Sequence, residues 1–175
     1  MDNLLGNPVF VKYYLQKFTE EERENMVVVS PDVGSVARAR IFAQKLHMGL
    51  AIVDKRRQKA NHSEVMNVIG DVAGKDCIIF DDMVDTAGSL CNAAKAIMEV
   101  GGARSVYACA THALLNGPAI ERLNNSVITE FAFLNTNPVE CGIGCDKIKY
   151  LSVAPMFAEA IERIYQEISI AKLFN

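Results

Sequence analysis

The stretch Ile78-Ile-Phe-Asp-Asp-Met-Val-Asp-Thr-Ala-Gly-Ser89 decides how the rest of the chain is read. It follows Cys77 as an apolar run of strand length and reaches two adjacent carboxylates, Asp81 and Asp82. A turn of hydroxyls and glycine then leads into a helix from Ser89 to about Val100, stopped by Gly101-Gly102. A buried strand feeding a helix through a tight polar turn is the building unit of a parallel sheet. Upstream, Met26-Val-Val-Val29, the turn Ser30-Pro-Asp-Val-Gly-Ser35 and a helix to about His47 repeat that unit. Leu50 to Val53 predicts a second strand, and Val65 to Ile69 one arm of an edge hairpin. Downstream, strands are expected at Ser105 to Cys109, at the alternating set Val127, Thr129, Phe131 and Phe133, and at Ile148 to Val153. Asn7-Pro8 opens a helix to about Phe18, which the acidic turn Glu20 to Glu22 ends. Gly117 to Asn124 predicts a short helix. A last helix from Pro155 is expected to bury Phe157, Ile161, Ile164 and Ile168, whose spacing is helical. The class is α/β: a parallel sheet with helices on both faces, forming one domain over residues 1–175.

Composition narrows the function. Half of the 175 residues are apolar and 22% are charged, which excludes a disordered or low-complexity chain. With 18 Lys and Arg against 21 Asp and Glu, the net charge of -3 favours neither nucleic acid nor an anionic membrane as partner. Apolar runs are strand-length, far from the roughly 20 residues of a membrane span. Met1 to Gly6 lacks the basic and apolar regions of a signal peptide, so a cytoplasmic location is expected. The 5 cysteines are an odd number, and Cys77, Cys91 and Cys109 sit in apolar segments, which predicts reduced thiols. Cys141-Gly-Ile-Gly-Cys145 has no neighbouring Cys or His pair to complete a zinc site and reads as a loop.

The chemistry concentrates after the strand that opens at Cys77. Ligands of parallel sheets collect at the carboxyl ends of strands. A helix start there offers unpaired N–H groups and a favourable dipole for phosphate. Gly88 permits close backbone approach, and Thr86 and Ser89 add hydroxyl donors. Asp81 and Asp82 are placed to accept from vicinal sugar hydroxyls or to hold a divalent cation. A sugar phosphate satisfies both ends. The plainer alternative is that Asp85, Thr86 and Ser89 cap a helix while Asp81 and Asp82 are solvated strand-end residues. No G-x-x-x-x-G-K-[ST] loop occurs, and Asp81, Asp82 and Asp85 do not match the D-x-D-x-T aspartyl-phosphate spacing.

This order of residues resembles the phosphoribosyl-diphosphate motif of type I phosphoribosyltransferases. It resembles the ribose-phosphate pyrophosphokinase family much more closely. Val29 to Gly34, Asp54 to Asn61, Glu64 to Gly70, Asp81 to Gly88, Ala110-Thr-His112, Gly117 to Glu121 and Leu151 to Pro155 all look like that family, in its order. The resemblance corresponds to about the C-terminal half of a family member.

The resemblance implies a phosphoribosyltransferase-like fold. It also implies transfer of a diphosphoryl group from Mg-ATP to ribose 5-phosphate, giving phosphoribosyl diphosphate and AMP, with Mg2+ as cofactor. Asp85, Thr86, Ala87, Gly88 and Ser89 would grip the 5-phosphate, while Asp81 and Asp82 address the ribose hydroxyls and magnesium. Asp32, Val33, Gly34 and Ser35 would form the pyrophosphate loop, an anion nest in which Asp32 helps hold magnesium. The family usually has a second glycine at Ser35, where a side chain bears on a left-handed backbone and on phosphate approach. Lys55 and Arg57 match catalytic-loop residues that stabilise charge on the transferring group, with Asn61 assisting. His47, His62 and His112 are dispersed and none reads as a general base; His112 reads as a structural strand-end residue. Ser169 to Phe174 resembles a segment near the regulatory nucleotide site, with Ala171 replacing a usual serine. The family draws most of its adenine pocket from an upstream domain without counterpart here, so this half is expected to bind better than it catalyses. A homo-oligomer or association with synthetase subunits is expected. The alternatives are a non-catalytic regulatory subunit of a synthetase, or a small phosphoribosyltransferase.

Overall fold

The computed structural model describes residues 4–56 and 65–174. Two strands rich in β-branched residues, β1 (Met26–Ser30) and β4 (Asp76–Val84), lie side by side at the centre of the sheet. Among the described residues, this sheet has seven strands in the order β3-β2-β1-β4-β5-β6-β7. The others are β2 (Gly49–Arg56), β3 (Val65–Ile69), β5 (Ser105–Ala113), β6 (Glu130–Leu134) and β7 (Ile148–Leu151). Edge strand β3 pairs antiparallel with β2, and all other pairs are parallel. The expected mostly parallel sheet is therefore observed.

Alternation along the central strands divides the core between two faces. Val27, Val29, Cys77 and Ile79 pack with Leu90, Ala93, Ala94 and Ile97 of α4 (Gly88–Glu99) and with Ala119 and Leu123 of α5 (Ala119–Asn124). Met26, Val28, Ile78 and Phe80 face Phe10 and Tyr14 of α1 (Asn7–Lys17) and Ala39, Phe42, Ala43 and Leu46 of α3 (Val36–Leu46). Strand order reverses between β1 and β4, where the two chain directions outward from the centre leave a crevice at the carboxyl ends. The loops after β1 and β4 both open there.

Four expectations change. β4 runs on through Asp81 and Asp82 to Val84, because β5 keeps pairing with it, Asp81 against Ala110 and Val84 against Ala113. Pairing with β1 stops at Val29 against Ile79, so the carboxylate pair is a strand segment with one open edge. The acidic turn is a short helix, α2 (Glu20–Glu24), closed by a capping box between Thr19 and Glu22. The strand expected from Val127 starts only at Glu130, and Val127 is exposed.

The fourth change is the final helix, α6 (Ala154–Tyr165), of which only Ala160 is buried. Phe157, Ile161, Ile164 and Ile168 are 49%, 67%, 64% and 48% exposed. Periodicity reports an apolar stripe, not what covers it. The least exposed residues of this helix, Met156, Ala160 and Arg163, follow a line beside the stripe rather than through it. No helix among the described residues is long and apolar enough to cross a membrane.

Candidate functional site

The turn after β4 is built from a left-handed residue and an uncapped helix. Ala87, the N-cap of α4, has φ 58 and ψ 4, and no side chain caps the helix. The first-turn N–H groups of a helix have no intrahelical acceptor, and no side chain among the described residues caps these. The plain capping alternative for Asp85, Thr86 and Ser89 is thereby removed. A cavity of about 170 Å³ sits on this turn, lined by Asp85, Thr86, Ala87 and Ser89 among others. The residue needing left-handed freedom is Ala87 rather than Gly88. Gly88 instead supplies space, since a Cβ there would lie 3.1 Å from Arg122 Nη1.

Asp81 and Asp82 behave differently from solvated strand-end carboxylates. Burial pushes the Asp81 carboxyl up to about 6, with the Asp82 and Asp32 charges adding to the rise, while a hydrogen bond from the Asp82 N–H opposes it. Burial also works against ionisation of Asp82, but the Arg38 guanidinium and the Asp81 contact outweigh it and hold that carboxyl below the usual range. Arg38 Nη1 donates to Asp82 Oδ2 at 2.8 Å, and its Nη2 to Ser35 Oγ at 3.2 Å. Arg38 thus ties the loop after β1 to the acidic segment of β4. Both partners of the ion pair are about half exposed, so a ligand can displace it at small cost, on the order of 1 kcal/mol. A second cavity, about 360 Å³, opens beside Arg38, Phe80, Asp81, Asp82, Thr111 and His112. His112 lies within β5, its Nδ1 2.9 Å from Thr136 Oγ1.

The loop Ser30 to Ser35 departs from the expected nest. None of its residues is left-handed, and the Asp32 carboxylate itself accepts the Ser35 N–H at 2.8 Å. The loop is closed by its own side chain, with Ser30 Oγ donating to the Asp32 carbonyl at 2.7 Å. Ser35 has φ -88, a right-handed conformation open to any residue, so the missing glycine causes no backbone strain. Val33 and Gly34 are exposed in the same loop. Among the described residues no group of three or more His, Cys, Asp or Glu is arranged to hold a metal ion. Lys55 belongs to the end of β2, opposite Met66 of β3. β2 is parallel to β1, so it ends at the same edge of the sheet as the crevice. Arg57, Asn61 and His62 lie outside the described residues.

Sequence reading missed Arg38, Asn116 and Arg122. Arg38 follows Ser35 by one helical turn, a phase that would have pointed it at the crevice. Asn116 Nδ2 donates to Asp85 Oδ1 at 2.7 Å and Arg122 Nη1 to the Thr86 carbonyl at 2.9 Å. These partners are 31 and 36 residues away, with no local signal.

A parallel sheet with an uncapped phosphate-type turn and adjacent acids at its switch point defines a phosphoribosyltransferase-like α/β protein. Comparison with known proteins narrows this. Residues 57–175 match the family described as Phosphoribosyl synthetase-associated domain. The chain belongs to this family, that of the ribose-phosphate pyrophosphokinases. It is 57% identical to the ribose-phosphate pyrophosphokinase of Clostridium tetani over 175 residues, 100% of this chain and 54% of that protein. It is 51% identical to that of Helicobacter pylori, over 100% of this chain and 53% of that protein. The solved phosphoribosylpyrophosphate synthetase of Mycobacterium smegmatis superposes with a TM-score of 0.80 at 34% identity, covering 92% of this chain and 51% of that one. An adenine phosphoribosyltransferase superposes with a TM-score of 0.53 at 21% identity over 70% of this chain and 75% of that one, a likeness of fold alone. The chain spans about half the length of the curated relatives it matches. The expected C-terminal placement is not borne out by these matches, which fix how much of each relative corresponds.

Proposed function

We propose that this domain carries the ribose 5-phosphate side of a ribose-phosphate diphosphokinase. In that reaction the anomeric hydroxyl of ribose 5-phosphate attacks the β-phosphorus of ATP, giving phosphoribosyl diphosphate and AMP. The observation that carries this reading is the uncapped first turn of α4 beside the half-buried Asp81. The N–H groups of Thr86 to Ser89 receive the 5-phosphate, with the Thr86 and Ser89 hydroxyls as further donors. Asp81 and Asp82 accept from the ribose hydroxyls, Asp82 after Arg38 is displaced. Asp32, Val33, Gly34 and Ser35 meet the pyrophosphoryl portion, which requires the Asp32 carboxylate to release the Ser35 N–H. Lys55 and Arg57 stabilise charge on the transferring group. Positioning and electrostatics do the work of such a transfer.

Magnesium fits this donor set as an ion brought in on substrate phosphates, the usual mode for Mg2+ with one or two protein carboxylates. Asp81, with Asp32 and Asp82 near it, is the group positioned to meet it. The magnesium supplies charge neutralisation on the phosphoryl oxygens. The Asp81 burial that disfavours a bare negative charge is relieved when a cation or a hydroxyl donor arrives.

The proposal is tested by calorimetric titration of the folded chain with ribose 5-phosphate and with ribose, with and without Mg2+. Saturable binding of the phosphorylated sugar only, weakened in Asp81→Asn, is the expected result. No saturation by a folded chain refutes the site. ATP use and catalysis are expected to require the rest of a full-length synthetase, so AMP formation by this chain alone would refute that part.

A second reading is favoured by two observations. The family description names a synthetase-associated domain, and α6 leaves an apolar stripe uncovered, which marks an interaction surface. On this reading the chain associates with synthetase subunits and modulates them. Co-purification with an intact synthetase and an altered rate would favour it over the first. The small phosphoribosyltransferase alternative has only fold likeness behind it, and base-dependent release of pyrophosphate would be its signature. A cytoplasmic setting matches the metabolic substrates of either reading.

A further inference from the structure

We infer that Asn116 and Arg122 are positioning residues that set the shape of the Asp85–Ser89 turn for a phosphate monoester. The inference rests on the reading of that turn as the phosphate site. A non-glycine residue in the left-handed region, such as Ala87 at φ 58, persists only where its surroundings hold it. What holds it comes from the segment after β5. The Leu114 and Leu115 N–H groups donate to the Val84 carbonyl at 3.0 and 3.1 Å, and the Asn116 N–H to the Asp85 carbonyl at 2.9 Å. The Asn116 side chain also fixes the Asp85 carboxylate. Arg122 Nη1 then takes the Thr86 carbonyl.

The consequence follows from peptide geometry. In a planar trans peptide the C=O and the next N–H point in opposite directions. Asn116 and Arg122 draw two successive carbonyls, Asp85 and Thr86, to one side. The N–H groups of Thr86 and Ala87 are thereby turned to the other, away from Asn116 and Arg122. That is the arrangement an oxyanion needs, donors fixed before it arrives.

The strut itself is rigid. Ala119 and Leu123 of α5 are fully buried, and the turn leading to it carries left-handed Leu115 at φ 51 and Gly117 at φ 56. Gly88 completes the fit, since a side chain there would push against the Arg122 guanidinium. Arg122 is exposed, so its removal leaves no buried group stranded and its effect on folding is small. Its guanidinium also brings positive charge to the turn.

The experiment compares wild type, Arg122→Met and Arg122→Lys. Binding of ribose 5-phosphate and of inorganic phosphate is measured by calorimetry, with the ligand-free thermal midpoint and the amide chemical shifts of Thr86 and Ala87. Arg122→Met is expected to weaken both ligands about tenfold, the value of one charge-assisted hydrogen bond. It should move the Thr86 and Ala87 amides and leave the midpoint in place, with Arg122→Lys recovering most of the affinity. Arg122→Met binding as tightly as wild type overturns the inference while leaving the phosphate site standing. Equal losses of affinity and midpoint in both variants also overturn it, because they signal a general structural role. Absence of saturable binding by wild type refutes the phosphate reading itself, and the inference with it.

Discussion

Asp81→Asn is expected to stabilise the fold at neutral pH while weakening the sugar binding proposed for this residue. Burial, helped by Asp82 and Asp32, raises the Asp81 carboxyl from 3.8 to about 6. Between those values the folded protein keeps a proton that the unfolded chain has released, so this group's contribution falls as pH rises through that window. At about 1.4 kcal/mol per pH unit the loss is about 3 kcal/mol, and about 1.5–2 kcal/mol once partial solvent exposure is allowed for. Asparagine keeps the oxygen that accepts the Asp82 N–H and carries no charge, so it mimics the protonated acid. Urea unfolding of wild type and variant at pH 3, below both values, and at pH 8 reads the difference directly, and other carboxylates, such as the Arg104-bound Asp76, cancel in it. The two proteins should be nearly equal at the lower pH, with the variant about 1.5 kcal/mol more stable at the higher. A variant no more stable at pH 8, or a difference independent of pH, would refute the account of Asp81 as a strained, half-buried acid. A carboxylate kept at a cost to the fold is what a binding site requires.

Phe42→Ala should cost about 3–5 kcal/mol in equilibrium unfolding, because Phe42 is fully buried and stacked on Phe80 with ring centroids 4.5 Å apart. Ile161→Gln and Ile164→Gln should each shift stability by no more than about 0.5 kcal/mol in the same assay, since both side chains are mostly exposed; a large loss would show the stripe to be covered in solution. Gly88→Ala should leave the thermal midpoint in place yet weaken ribose 5-phosphate binding, because its Cβ meets Arg122 Nη1 at 3.1 Å; unchanged affinity would mean that Arg122 has room to spare.

How far the sequence reaches can be followed element by element. The capping box at Thr19 and Glu22 was legible as a pattern, since both partners lie within one turn, although its acidic run reads equally as a helix stop. Asp81 and Asp82 were legible as chemistry but not as neighbours of Arg38, which reaches Asp82 across 44 residues of chain. Asp32 was legible as an acid in a loop after a strand, yet whether its carboxylate faces a metal or its own backbone depends on loop torsions that residue identity leaves open. The stripe of α6 is legible as a stripe, whereas its exposure depends on what packs beside the helix.

Most of the order of strands and helices, and the polar turn with Gly88 that follows β4, can be read from the residues alone. Those are local properties: β-branched runs, helix phase and turn residues act within a few positions of one another. Long-range packing accounts for the centrality of β1 and β4, the extension of β4 under the carboxylates, the Arg38–Asp82 ion pair, the hydrogen bonds from Asn116 and Arg122 to the Asp85 and Thr86 carbonyls, and the exposure of α6. Each of these depends on which distant segment comes to rest against a given residue, and that is fixed by how the whole sheet and its two helical layers close on their apolar faces.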